Sequence, residues 1–205
     1  MFRFLLVLAL SLTACELPAQ PLAPDPETGT VEVHRETVYY EVEGATPRSL
    51  LKNLALRGPS IEGERFFGLT EWEVNAEYRW RERATRCSME DIVVRVVIKT
   101  HLPQWVPPAG TPAEVRTAWN RFVTALDAHE DGHRRFAEEA GEAIRWHLVS
   151  LHTPSCSQIK GEAQRAVVAI LDEYDALNRA YDRETGHGRT QNAVWPPAHL
   201  LAGAR

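Results

Sequence analysis

The chain has 205 residues, with 23 Lys+Arg against 28 Asp+Glu and a formal net charge of −5; 44% of it is hydrophobic, 25% charged and 8% aromatic. This is the composition of one folded domain, so wholesale disorder is excluded, and the acidic balance excludes a general nucleic-acid-binding surface, which needs a basic face. No apolar run approaches the ~20 residues that a membrane-spanning helix requires.

In chain order, Met1 to Ala14 carries one charge, Arg3, and an apolar stretch from Phe4 to Leu12. The stretch is too short to span a bilayer and has the form of a secretory signal. It ends in Leu12-Thr13-Ala14-Cys15, which resembles a bacterial lipobox: small residues precede the cleavage point and the Cys15 thiol takes the lipid. Pro18, Pro21, Pro24 and Pro26 make residues 15–30 a stiff tether, after which a domain is expected over 31–190. The address is the cell envelope outside the cytoplasm, with the membrane as a partner through the lipid on Cys15. In that oxidising space Cys87 and Cys156 are expected to pair, since export makes free thiols a liability.

Val38 to Glu43 reads as a short strand, and Pro47 to Arg57 as a helix with leucines at 50, 51 and 54, stopped by Gly58-Pro59. From Thr70 to Arg81 the chain alternates, with Trp72, Val74, Ala76, Tyr78 and Trp80 on one face and mostly charged residues on the other, as in a half-buried strand. Asp91 to Thr100 is rich in β-branched residues and predicts a second long strand, with Arg81 to Met89 as the connection. Thr111-Pro112-Ala113-Glu114 has the form of a capping box. It opens an apolar stripe at helical spacing: Val115, Trp119, Phe122, Leu126, Phe136, Ala140, Ile144, Leu148 and Leu151. Thr153-Pro154 breaks the stripe, and Ser155 to Gln158 caps a second helix marked by Ile159, Ala163, Val167, Ile170, Tyr174 and Leu177. Residues 191–205 are expected to be a tail. The fold class is α+β, a small, mostly antiparallel sheet packed against two long C-terminal helices. The six tryptophans belong mainly to its core.

The gap in the stripe between Leu126 and Phe136 holds His129-Glu130-Asp131-Gly132-His133, an H-E-x-x-H motif. Two imidazoles one helical turn apart can reach one zinc ion, and the glutamate between them stands beside the water that the ion acidifies. A third ligand must come from elsewhere. The positions that would extend the motif to a metzincin site are Phe136 and Glu139, so that subclass is excluded. The dense candidate is Tyr181 to Gly188, whose glycines let a side chain project from a tight turn. Straight antiparallel helices with a break near Thr153 would set Tyr174 level with His133 and leave His187 about 20 Å beyond, at about 1.5 Å per residue. On that geometry the chain folds back before Asp182, or an acid near Glu173 takes the place of His187, with Asp182 a further alternative.

H-E-x-x-H followed by Tyr181-Asp182-x-x-Thr185-x-His187-Gly188 resembles a family of bacterial secreted zinc-dependent proteases long filed as a domain of unknown function. Gly58-Pro59, Thr70-x-Trp72, Cys87 before the valine-rich strand, Leu102-Pro103-x-Trp105 and Cys156 are similar as well, so the resemblance covers Tyr39 to Gly188. It implies one zinc per chain held by His129, His133 and His187, Glu130 as the catalytic residue and a Cys87–Cys156 disulfide. The implied function is that of a lipid-anchored envelope metallopeptidase acting on a peptide or protein. A non-catalytic zinc-binding lipoprotein and a zinc-dependent amidase are the alternatives.

The lipobox reading has a direct check. Mass spectrometry of the protein from its host should find a mature chain that begins at Cys15, carries added acyl mass and fractionates with membranes; an unmodified soluble form starting elsewhere would refute it.

Overall fold

The computed structural model describes residues 29–202; the signal segment, Cys15 and the tether up to residue 28 lie outside them. Its axis is a 20-residue strand, β5 (Arg86–Trp105). Strand β1 (Gly29–Val42) runs parallel to one edge of it, from Gly29 opposite Ile92 to Val42 opposite Trp105. Strand β4 (Leu69–Arg83) runs antiparallel along the other edge, so the order is β1-β5-β4. A short strand, β6 (His152–Thr153), pairs with β5 at Cys87 and Ser88. Between β1 and β4 lie helix α1 (Pro47–Arg57) and a small hairpin of β2 (Ser60–Ile61) and β3 (Glu64–Arg65). The expected α+β class holds, with one parallel pairing in a mixed sheet.

Helix α1 has the bounds its sequence predicts because the Thr46 side chain accepts from the backbone of Ser49 while the Ser49 side chain answers at Thr46, and Pro47 opens the first turn. Strand β1 is much longer than Val38 to Glu43 and takes in Gly29 and Thr30 of the expected tether. Val31 packs against the apolar clusters, but its neighbours are mostly exposed and polar. The strand is held largely by backbone pairing and by ion pairs such as Glu32–Arg95 (3.0 Å) and Glu36–Lys99 (3.6 Å), so the apolar alternation is too short to read. The connection expected over Arg81 to Met89 shrinks to a turn at Ala84-Thr85. Along β5 the buried positions change from odd (Cys87, Met89) to even (Ile92, Val94, Val96, Ile98), and the change falls at Asp91, at φ 51°, facing a register shift between Glu77 and Arg79.

Helix α2 (Ala113–Ser150) lies across the inner face of the sheet, and α3 (Cys156–Thr185) packs on α2. The capping box expected at Thr111 does not form: its hydroxyl donates to Pro108 O at 2.7 Å, and Pro112 occupies the cap position without a side-chain hydrogen bond. Ser155 does cap α3, accepting from the backbone of Ser157. The stripe of α2 feeds two apolar clusters. Trp119, Phe122 and Leu126 join Leu50, Leu54, Trp105 and Trp195 at one end, and Ile144 and Leu148 join Met89, Ile92, Val94 and Ile159 at the other. Ala193 and Trp195 are 8% and 4% exposed, so this part of the expected tail packs into the core. It reaches the core through a 3₁₀ turn (Arg189–Gln191) and is followed by α4 (Ala198–Ala202); a lone tryptophan before two prolines carries no period to betray it. Among the described residues no helix is long and apolar enough to cross a membrane.

Cys87 and Cys156, 69 positions apart in sequence, are joined by a disulfide with Cα atoms 5.0 Å apart. It ties the start of α3 to the strand β6 also pairs with. On the chain-entropy relation such a loop is worth about 4 kcal/mol. Alkylation of unfolded, unreduced protein should therefore label neither cysteine, and the double Cys→Ser variant should lose about 2–5 kcal/mol of stability in denaturant titration. Free thiols in protein taken from its native compartment would refute the pairing.

Candidate functional site

His129, Glu130 and His133 interrupt the apolar stripe of α2 between the two clusters and are 3%, 3% and 7% exposed. His129 Nδ1 lies 2.9 Å from Gln191 Oε1, and His133 Nδ1 2.7 Å from Asn178 Oδ1. The Asn178 amide is oriented by its own Nδ2, which donates to Tyr174 O at 3.0 Å, so its oxygen must face the imidazole. Each ring thus donates its Nδ1 proton to an amide oxygen and turns Nε2 inward. Both Nε2 atoms meet Asp182 Oδ1, at 3.3 Å from His129 and 3.2 Å from His133. Two imidazole lone pairs and a carboxylate aimed at one point repel unless a proton or a metal ion stands among them. Among the described residues these three offer ligand atoms that all lie within 4.8 Å of one another, a group that could hold a metal ion.

His187 stands beside this group. Its Nδ1 is 3.3 Å from the same Asp182 Oδ1, and its half-exposed ring packs near Phe66 at 5.4 Å between centroids. Helix α3 does not end before Asp182; it runs unbroken to Thr185, and then Gly186, His187 and Gly188, all at positive φ, fold the chain back. That reversal brings Gln191 to His129 and lays Gly188 against it, where a Cβ would come within 2.9 Å of the imidazole. The straight-helix geometry fails because β6 and the disulfide fasten the start of α3 to the sheet in place of a tight turn. Asn178 and Asp182, four and eight residues after Tyr174, are what meet His133. Glu173 is exposed and outside the group. Tyr181 stacks on His129 at 5.0 Å and fills the space above Gly132, where a Cβ would come within 2.5 Å of its ring. Sequence reasoning assigned no site role to Thr70, Asn178 or Gln191; an amide or hydroxyl that serves through another side chain has no spacing rule to reveal it.

The group opens on a cavity of about 500 Å³ whose apolar side is Phe66, Phe67, Leu69, Trp72 and Leu126 and whose polar side includes Arg179 and Arg189. Glu130 lies in its wall. Its Oε2 accepts from Thr70 Oγ1 at 2.8 Å, and its Oε1 lies over Gly68, where a Cβ would come within 2.6 Å of it.

Residues 37–188 match the family described as "Bacterial protein of unknown function (DUF922)". No curated protein and no solved structure matches the chain.

Burial pushes the Glu130 carboxyl up, against the Thr70 hydroxyl and the two imidazoles that favour its charge. Burial opposes the charged form of His133, but hydrogen bonds with Asp182 and Asn178 and the nearby carboxylates prevail and hold its pKa above the ordinary value. Asp182 pays for burial too, yet its hydrogen bonds to His129 and His133 hold it well below the usual carboxylate range. In metal-free protein the protonated His133–Asp182 pair therefore stabilises the fold in full below the ordinary imidazole pKa of about 6.5, and the contribution is lost as pH rises through the higher value of His133. The melting temperature of metal-free protein should fall as pH is raised from 6 to 9, and His133→Gln should flatten that slope. A wild-type slope equal to that of the variant would show that the pair contributes nothing.

Proposed function

The chain belongs to the DUF922 family of bacterial proteins, and from the chemistry of its buried site we propose that it is a zinc-dependent peptidase of the cell envelope. The observation that carries this reading is the convergence of both Nε2 atoms and the Asp182 carboxylate on one point beside Glu130, a carboxylate outside the ligand group. Ligands about 2.0–2.1 Å from a tetrahedral ion stand about 3.3 Å apart, which is the separation each imidazole Nε2 already has from Asp182 Oδ1, and two imidazoles with one carboxylate suit zinc. His129, His133 and Asp182 would hold the ion, with His187 Nδ1 3.3 Å from Asp182 Oδ1 standing beside them in place of its expected role as third ligand. Bound zinc supplies a Lewis acid that acidifies water and polarises a carbonyl.

Glu130 then acts as general base, taking a proton from the attacking water and passing it to the leaving amine. A zinc that only fixes helices needs neither this carboxylate nor an opening to a cavity, which favours catalysis over the non-catalytic reading. Gly68, Leu69, Thr70 and Trp72 line the cavity from the start of β4, the edge strand of the sheet. An extended peptide can hydrogen-bond along such an edge, so a peptide substrate fits better than a small amide. The Cys87–Cys156 disulfide supports an oxidising compartment.

The test starts with metal. Purified protein should hold one zinc, His129→Ala and His133→Ala should abolish stoichiometric binding, and Asp182→Ala should weaken it more than His187→Ala does. Zinc-loaded protein should cleave members of a peptide library, read by mass spectrometry, in a way that a chelator stops and zinc restores. Glu130→Gln should keep fold and zinc and lower turnover by about 10²–10⁴. Zinc binding without any chelator-sensitive cleavage, or cleavage undiminished in Glu130→Gln, would overturn the proposal.

A further inference from the structure

The inward side chains of β5 are apolar at Ile92, Val94, Val96, Ile98 and Leu102, and the series is interrupted once, by Thr100, which is 1% exposed. Opposite it in register on β4 stands Thr70. The two hydroxyls are 3.2 Å apart; Thr70 Oγ1 also reaches Glu130 Oε2 at 2.8 Å, and Arg134 Nη1 reaches Thr100 Oγ1 at 3.5 Å. The direction of this chain is forced. A guanidinium only donates and an ionised carboxylate only accepts, so Arg134 donates to Thr100, Thr100 to Thr70 and Thr70 to Glu130. Arg134 lies one helical turn after Glu130 and is itself clamped by Asp127 (2.9 Å) and Asp131 (3.2 Å). Valine would fill either threonine site and join the surrounding apolar packing, so packing does not account for a stacked pair of hydroxyls here.

We propose that Thr70 is a positioning residue, backed by Thr100 and Arg134, that grips Glu130 by Oε2 and leaves Oε1, above the bare backbone of Gly68, as the oxygen that exchanges protons with water and leaving group. The role assigned to Oε1 rests on the peptidase reading; the grip itself does not. A carboxylate free to turn presents either oxygen at varying distance, whereas one pinned at 2.8 Å from behind presents one oxygen at a fixed place. The hairpin that pairs β4 with β5 thus sets the aim of a residue on α2.

Two measurements separate the grip from the chemistry. In metal-free full-length protein, urea unfolding of Thr70→Val should show the folding equilibrium constant lowered by about 10-fold or more, as expected for loss of a hydrogen bond to a buried charge, and the loss should vanish in a Glu130→Leu background. In the zinc-loaded protein, with the best-cleaved peptide of the library, Thr70→Val should lower kcat by about 10–100-fold with KM and zinc stoichiometry unchanged, and Thr70→Ser should restore it. An equal loss of stability in both backgrounds, or wild-type kcat in Thr70→Val, would overturn the proposal. If the wild-type protein cleaves nothing while the coupling persists, the peptidase reading falls and the hold of Thr70 on Glu130 stands.

Discussion

Asp182 Oδ1 is within 3.3 Å of nitrogen atoms from three histidines, and two of those rings are almost wholly buried. A carboxylate and imidazoles brought so close and taken so far from water form a centre that the protein must hold together against solvation, since an unpaired buried polar group costs about 1–3 kcal/mol and a charge more. The apolar clusters on either side of it along α2 offset that cost. Phe122, Leu126, Ile144 and Leu148 are each at most 3% exposed, and a fully buried side chain of this kind contributes about 1.5–3 kcal/mol. A helix of 38 residues is long enough to carry both clusters and the polar interval between them.

Elements beyond α2 lend the centre its other groups. Helix α3 supplies Asn178 to orient His133 and Asp182 to face both rings. The reversal after Gly186 supplies Gln191 to orient His129. Strand β4 supplies Thr70, and the hydroxyl of Tyr40 on β1 donates to Phe67 O at 2.7 Å, fastening the segment that leads to Gly68. The result is a site whose inner atoms come from α2 and from Asp182 of α3, and whose orienting atoms come from α3, the reversal after it and β4. Substitutions in the inner set remove chemistry, while substitutions in the outer set blur its geometry.

What the sequence disclosed follows from the reach of its signals. His129, Glu130 and His133 were legible because a helix converts their spacing into one face, α1 because its leucines recur at helical spacing between Pro47 and Gly58-Pro59, and the start of α3 because Ser155 acts within a turn of itself. The strand around Trp72 and Val74 was legible because one of its faces is buried and the other charged. The first half of β1 was hidden, since it sends little more than Val31 to the core and relies on backbone pairing and surface charge for the rest. The third partner of the histidines turned on how α3 aligns with α2, which is fixed by β6 and the disulfide over a distance that no local pattern measures. Asp182 and His187 both lie in the motif that drew attention to this segment, and the course of α3 and the reversal after it bring both beside the two histidines.

The dispersal of the site along the chain couples metal capture to folding. Of the residues of this site, an unfolded chain keeps only His129 and His133 close together, four positions apart, while Asp182, Asn178 and Gln191 are remote in sequence and join them when α3 and the reversal dock. Affinity gained on docking is by thermodynamic linkage stability given to the docked state, so the last third of the chain is the part whose order a bound ion would most reinforce. An ion would act on this fold as a clasp between α2 and α3, at the end of α3 opposite the disulfide.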